Sequence, residues 1–157
     1  MSTSHGPALP PGLLTRFSQV SLPSLLGRGL PLVTWSADGS VHPMLCSYLE
    51  LLAVDARTIR LAIGAQSRSA RNLEERAVGT LLMIEPERTI YIKCRATGPP
   101  LRLGRLARFS LTVEEVLEDS PEEAEGHVRI ISGITYGPPP SLDDAWAKEV
   151  LAALRAN

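Results

Sequence analysis

The chain of 157 residues contains no run of 18 apolar residues, and its start, MSTSHGPALPPG, has no basic stretch leading into an apolar one. A membrane-spanning helix and a secretory leader are therefore not expected, and a cytoplasmic protein is the simplest reading. It also lacks an excess of either charge: 16 Lys and Arg stand against 17 Asp and Glu, a formal net charge of -1. Such a balance offers no global field to hold nucleic acid or an acidic membrane, although a local basic pocket remains open. Cysteine is scarce. Cys46 and Cys94 both fall in predicted strands, and two such residues make no disulfide framework, so both are expected as small buried hydrophobes. The three histidines, His5, His42 and His127, are far apart, with no His-x-x-x-His or Cys-x-x-Cys pair, so no metal centre is expected.

The familiar catalytic signatures are missing too. The sequence has no Gly-x-Gly-x-x-Gly opening a strand–helix unit, no Walker loop, no Gly-x-Ser-x-Gly elbow and no His-Glu-x-x-His. Cys46 and Ser47 have only His42 on the same predicted strand, and a rise near ~3.3 Å per residue puts it out of reach as a base. Asp38, Glu50 and Asp55 sit at turns or strand ends, and nothing makes them a catalytic pair.

What is present is turn-forming residues and short periodic runs. Thirteen prolines and 12 glycines in a chain that is 44% hydrophobic argue for one compact domain (1–157) of many short elements. Residues 1–12 read as a flexible lead. Leu13 to Val20 and Leu22 to Leu26 read as short helical segments, with Pro23 in a first turn. Pro31 to Ala37 reads as a strand, Asp38-Gly39 as a hairpin turn, and Ser40 to Glu50 as the returning strand. Pro43, having no N–H, marks that return as an edge, a bulge or a place of exposed backbone. Leu51 to Ala53 continues the return. Thr58 to Gly64, Gly79 to Ile84, Arg88 to Gly98, Arg108 to Val116 and His127 to Tyr136 supply further strands. Pro99 to Gly104 reads as a break and Leu117 to Gly126 as an acidic loop. A final helix is expected over 141–156, capped by Ser141 with Asp144 three residues on and presenting a stripe of Trp146, Val150, Leu151 and Leu154 to the barrel or a partner. The fold class is α+β and mostly β: a closed or nearly closed barrel of six or seven antiparallel strands with short flanking helices.

One segment departs from what stability alone would choose. Between the strands at 58–64 and 79–84 lies a short helix that Ser67 caps, with Arg68, Ser69 and Arg71 at its start and Glu74 and Glu75 later. Cations at a helix N-terminus oppose the helix dipole. The order makes sense if an external anion rests on the free N–H groups, with serine hydroxyls and guanidinium groups around it. A solvated surface helix carrying arginine for solubility is the plain alternative. Within Arg88 to Gly98, Ile90, Ile92 and Cys94 fall on one face and Tyr91, Lys93 and Arg95 on the other. This polar face gains meaning if it lies close to the helix start. The set Ser67, Arg68, Ser69, Arg71, Asn72, Lys93 and Arg95, beside a strand with Pro43 and Ser47, fits a phosphorylated, planar, largely apolar ligand that brings its own chemistry.

Three segments in this order resemble the FMN-binding split barrels related to pyridoxamine 5'-phosphate oxidase. LVTWSADGSVHPMLCSYLE resembles the opening hairpin beside the flavin ring, IRLAIGAQSRSARNLEE the strand and helix start that grip the FMN phosphate, and TIYIKCRATG the long strand that follows. The resemblance spans roughly Leu32 to Gly98, with a similar tail to Tyr136. It implies FMN as cofactor, with Arg68 and Ser69 on the phosphate, Ser67 capping and Asn72 holding the turn or the ribityl chain. It also implies that Leu45, Cys46 and Ser47 line the isoalloxazine through backbone groups, and that Lys93 offers a polar group to flavin or phosphate. It further implies a homodimer with cofactor sites at the subunit interface, acting on a small-molecule substrate or electron donor, with neither nucleic acid nor membrane as partner. The sequence departs from the oxidase proper. Ser69 stands where that enzyme has lysine, the Arg-x-x-x-x-Lys pattern is absent around Pro43 to Tyr48, and SLDDAWAKEVLAALRAN has no counterpart of its substrate-phosphate residues. The implied activity is a flavin-dependent oxidoreductase of another kind. A non-catalytic flavin carrier or sensor is the alternative, as is a barrel binding deazaflavin or haem, for which His42 or His127 would be the axial ligand.

Overall fold

The computed structural model describes residues 2–121 and 129–157. Among these residues ten strands pair antiparallel in one sheet: β1 (Ser2–Gly6), β2 (Arg28–Trp35), β3 (Val41–Ser47), β4 (Leu51–Asp55), β5 (Thr58–Gly64), β6 (Val78–Glu85), β7 (Arg88–Ala96), β8 (Leu101–Leu103), β9 (Leu106–Asp119) and β10 (Ile134–Thr135). Four α-helices accompany them, α1 (Pro11–Phe17), α2 (Leu22–Leu25), α3 (Arg68–Arg76) and α4 (Ala145–Arg155), with one 3-10 turn at Tyr48–Glu50. The spatial order is β10-β2-β6-β7-β9-β5-β4, with β3 on the free side of β2 and β1 and β8 flanking β9. No described helix is long and apolar enough to cross a membrane.

The sheet curls because its long strands alternate apolar and polar residues and bury one face only. In β6 each second residue, Gly79, Leu81, Met83 and Glu85, is buried, and in β7 Ile90, Ile92 and Cys94 point the same way. Phe17, Phe109, Leu32, Leu49, Leu61 and Met83 are among the largest fully buried side chains of one continuous core. Cys46 and Cys94 are both free and buried in it, as expected of small hydrophobes. The chain passes from β3 at one edge to β4 at the other through the 3-10 turn, whose Tyr48 and Leu49 are buried. No ladder joins β3 to β4 among the described residues, and the curled sheet forms a split half-barrel.

Several expectations need correction. The sheet has ten strands among the described residues where six or seven were expected: β1 and β8 are additional short strands, and the 3-10 turn divides the expected return into β3 and β4. The lead is not free: β1 pairs with β9 from Ser2↔Asp119 to Gly6↔Val116, and buried Leu9 donates its N–H to Ala56 O at 2.7 Å. The break after Pro99 contains β8, folded back on β9. Leu117 to Asp119, expected as loop, extends β9, while the rest of the acidic segment to Gly126 falls largely outside the described residues. The strand expected over 127–136 begins outside them and is reduced within them to β10, which pairs Ile134 with Gly29 and Thr135 with Arg28. The returning strand at 40–50 ends at Ser47, where the 3-10 turn takes over.

The last helix starts later than expected. Asp144 takes the N-cap position, and Ser141 lies outside, its Oγ accepting from Asp143 N and its N–H donating to Asp144 Oδ2, both at 3.2 Å. The buried stripe is Ala147, Val150, Ala153 and Leu154, packed on β5, β9 and the 3-10 turn. Of the expected stripe Val150 and Leu154 belong to it, Leu151 is half-buried and Trp146 is exposed, because the docked face is turned by about one residue from the expected one. Arg60 closes the helix C-terminus by donating from Nη1 to Leu154 O (2.8 Å) and Ala156 O (3.1 Å).

Candidate functional site

The helix start takes the form its sequence predicts. Ser67 has extended backbone and its Oγ accepts from Ala70 N at 3.1 Å, while Arg71 N donates to Ser67 O. The N–H groups of Arg68 and Ser69 have no partner among the described residues, as the first turn of a helix leaves them. The first turn holds no acid, and neither the Arg68 nor the Arg71 guanidinium makes an ion pair or hydrogen bond among the described residues. Ser69 is fully buried, and its Oγ has no hydrogen-bond partner. It lies beneath the helix start rather than on the open wall. Such a hydroxyl costs stability where it stands.

The tertiary fold adds residues to this end of α3 that local sequence did not connect with it. A hollow of about 320 Å³ is lined by Ser36, Ala37 and Asp38 of the β2–β3 hairpin together with Arg68, Arg71, Asn72 and Glu75. Asp38 Oδ1 accepts from Ser40 Oγ (2.6 Å) and Ser40 N (2.9 Å), and chiefly these bonds, with a smaller pull from Arg68, lower its pKa. Asn72 is a tether: buried, it donates from Nδ2 to Thr34 Oγ1 (2.9 Å) and Ser36 Oγ (3.4 Å), fastening α3 to β2. Arg76 donates to Ala37 O at the hairpin turn, fixing the other end of the helix.

β3 pairs with β2 and with no other described strand, so it is an edge, as Pro43 indicated. Its register sets Trp35 opposite Val41, Val33 opposite Pro43 and Pro31 opposite Leu45. These six residues share one outward face. Val41, Pro43 and Leu45 are exposed, whereas Cys46 turns its side chain into the core. Gly29 makes room for Leu45: a Cβ there would meet Leu45 Cδ1 at 2.8 Å. Leu45, Cys46 and Ser47 open on a second hollow of about 420 Å³ completed by Glu50, Tyr136, Pro138, Pro140 and Trp146. From Val41 to Ser47 the strand runs six residue steps, roughly 20 Å at ~3.3 Å each. One edge strand therefore links the helix-start hollow to the second one.

Lys93 is not brought to the helix start. Pairings Lys93↔Thr80, Thr80↔Val33 and Val33↔Pro43 put it in one row with β3 but three strands away, roughly 14 Å at ~4.8 Å per strand. Its Nζ pairs with Glu115 Oε2 at 2.8 Å, and Arg95 Nε with Glu114 Oε1 at 2.5 Å. The polar face of β7 thus carries its own counter-charges. Asp38, Glu50, Tyr136 and Trp146 are the site-wall residues that sequence reasoning did not assign. The first two were legible only as turn and strand-end carboxylates, and the last two only as strand and helix apolars.

No protein-family model matches the chain, and no curated protein matches it. Solved structures do. A candidate pyridoxamine 5'-phosphate oxidase from Lactobacillus delbrueckii matches with a TM-score of 0.58 at 12% identity, over 74% of this chain and 98% of that one. An FMN-binding protein from Syntrophomonas wolfei matches with a TM-score of 0.55 at 14% identity, over 71% and 88%. PhzG from Burkholderia lata, solved with tetrahydrophenazine-1-carboxylic acid, matches with a TM-score of 0.56 at 15% identity, over 83% and 94%. At such identities the likeness concerns the backbone, and it agrees with the curled sheet, the edge strand and the helix following β5. The chain has the split-barrel fold of the pyridoxamine 5'-phosphate oxidase-like proteins.

Proposed function

We propose that this protein binds FMN as a homodimer and serves as a flavin-dependent oxidoreductase other than a pyridoxamine phosphate oxidase. One observation carries the reading: a helix start with unpartnered N–H groups and two unpaired guanidinium groups stands at one end of a bare apolar edge strand. The phosphate would rest at Arg68 and Arg71, over the free N–H groups of Arg68 and Ser69. The ring would lie along β3 toward Leu45, Cys46 and Ser47. The residues present fit the group in order and charge: cations at one end and an apolar face next, with the second hollow lying beyond the ring. A solved neighbour named as FMN-binding supports the choice of cofactor. Bound flavin would supply hydride or electron transfer, and the chain's part is to hold, orient and shield it.

The outward face of Pro31, Val33, Trp35, Val41, Pro43 and Leu45 supports the dimer. A second copy related by a two-fold axis would cover it and exclude water from the ring. Lys93, on the same side of the sheet, would then face the partner's cofactor rather than its own protomer's.

The test is direct. Protein reconstituted with FMN and freed of excess ligand should be yellow, with a flavin band in the visible spectrum. A colourless protein after reconstitution refutes the reading. Bleaching of the band by NADPH or NADH under anaerobic conditions separates an oxidoreductase from a carrier, which would hold its flavin oxidised.

A further inference from the structure

The hollow at the far end of β3 has a chemistry of its own. Among its lining residues the only formal charge is the Glu50 carboxylate, and none is basic. Glu50 Oε2 accepts from Ser47 N (2.6 Å) and Ser47 Oγ (3.0 Å), closing the capping box of the 3-10 turn. Its Oε1 makes no hydrogen bond, and no lysine, arginine or histidine pairs with it among the described residues. Capping explains one oxygen and leaves the charge unanswered. Around it stand Trp146 and Tyr136, both exposed at the rim, with Pro138, Pro140 and Leu45. Aromatic faces attract cations through their ring quadrupoles, and a half-buried carboxylate without a counter-charge seeks one. An anionic guest would meet a carboxylate, and a neutral apolar guest would leave that carboxylate desolvated and unpaired.

We propose that this hollow binds an organic ammonium ion, the cationic head seated between Trp146 and Tyr136 and paired with Glu50 Oε1. Burial raises the Glu50 pKa, partly offset by the two bonds from Ser47, and a cation paired with the carboxylate would lower it again. The site is built within one protomer and stands without flavin; with flavin bound, it would be the place where a guest meets the ring.

Choline and its uncharged isostere 3,3-dimethylbutan-1-ol distinguish a cation site from an apolar hole. The chain has two tryptophans, so the Trp35→Phe variant leaves Trp146 as sole reporter of the hollow. Choline should change the Trp146 emission saturably and bind about tenfold or more tightly than the alcohol. Glu50→Gln should cost choline about tenfold while leaving the alcohol unchanged. Equal affinity for the two isosteres, or no saturable change with choline, overturns the proposal. Should Glu50→Gln fail to fold, the isostere comparison on the otherwise native chain decides alone. Titrations with and without added FMN, followed by absorption as well as emission, keep a failure of this site apart from a failure to hold flavin.

Discussion

Replacing Arg68 by alanine tests the proposed phosphate contact more cleanly than any other change at this site. Arg68 is exposed and its side chain makes no hydrogen bond or ion pair among the described residues. Its removal should therefore leave stability within about 0.5 kcal/mol. A charge-assisted hydrogen bond to a phosphate is worth about 1.5–3 kcal/mol. Solvent exposure places the loss near the lower end, so FMN affinity should fall about tenfold at ~1.4 kcal/mol per decade. Quenching of flavin fluorescence on titration with apo-protein measures this directly. Riboflavin, which has the ring and ribityl chain but no phosphate, is the internal control. Its affinity should not change. Equal losses for FMN and riboflavin would mean that Arg68 acts on the ring or on the fold, and an unchanged FMN affinity would remove the phosphate from this helix start altogether.

Other expectations concern the scaffold. Val41→Asp puts a charge on the outward face where the side chain is 57% exposed, so the protomer should fold normally while light scattering reports monomer instead of dimer. Asn72→Ala removes the tether from α3 to Thr34 and Ser36 and should destabilise the fold by about 1–3 kcal/mol in urea unfolding, with FMN binding weakened as the helix start loses its place. Glu50, its folded pKa raised by burial, holds its proton at a pH where the unfolded chain has lost it. Its cost to stability is therefore present above the folded pKa and disappears as pH falls toward 4.5. The neighbouring Cys46 thiol, raised well above 9.0 by burial and by Glu50, stays neutral across that window. Glu50→Gln should accordingly flatten the stability difference between alkaline and mildly acid pH in denaturation midpoints, and a profile unchanged by the substitution refutes it.

Much of the architecture is legible in local pattern. Thr58 to Gly64 carries β5 to its observed ends, and the alternation of Ile90, Ile92 and Cys94 gives β7 its buried face, because a half-buried strand imposes a two-residue period on its own sequence. Ser67 as cap and the cations after it are equally local, since helix capping involves residues within one turn. β1 and β8 are different. STSHG and LRL have too few apolar residues to bury a face, and they become strands because β9 offers unpaired edges.

The sequence by itself thus determined the start of α3: cap, first-turn N–H groups and guanidinium charges all arise within a few adjacent residues. Only the tertiary structure decided what stands around it. Register put the Asp38 turn beside Arg68 and put Lys93 three strands off with Glu115 as its partner. Chain folding brought Tyr136 and Trp146 to Glu50 from roughly ninety residues away. Long-range neighbours of this kind are set by which strand edges remain free and which faces must be covered, and no local spacing records them.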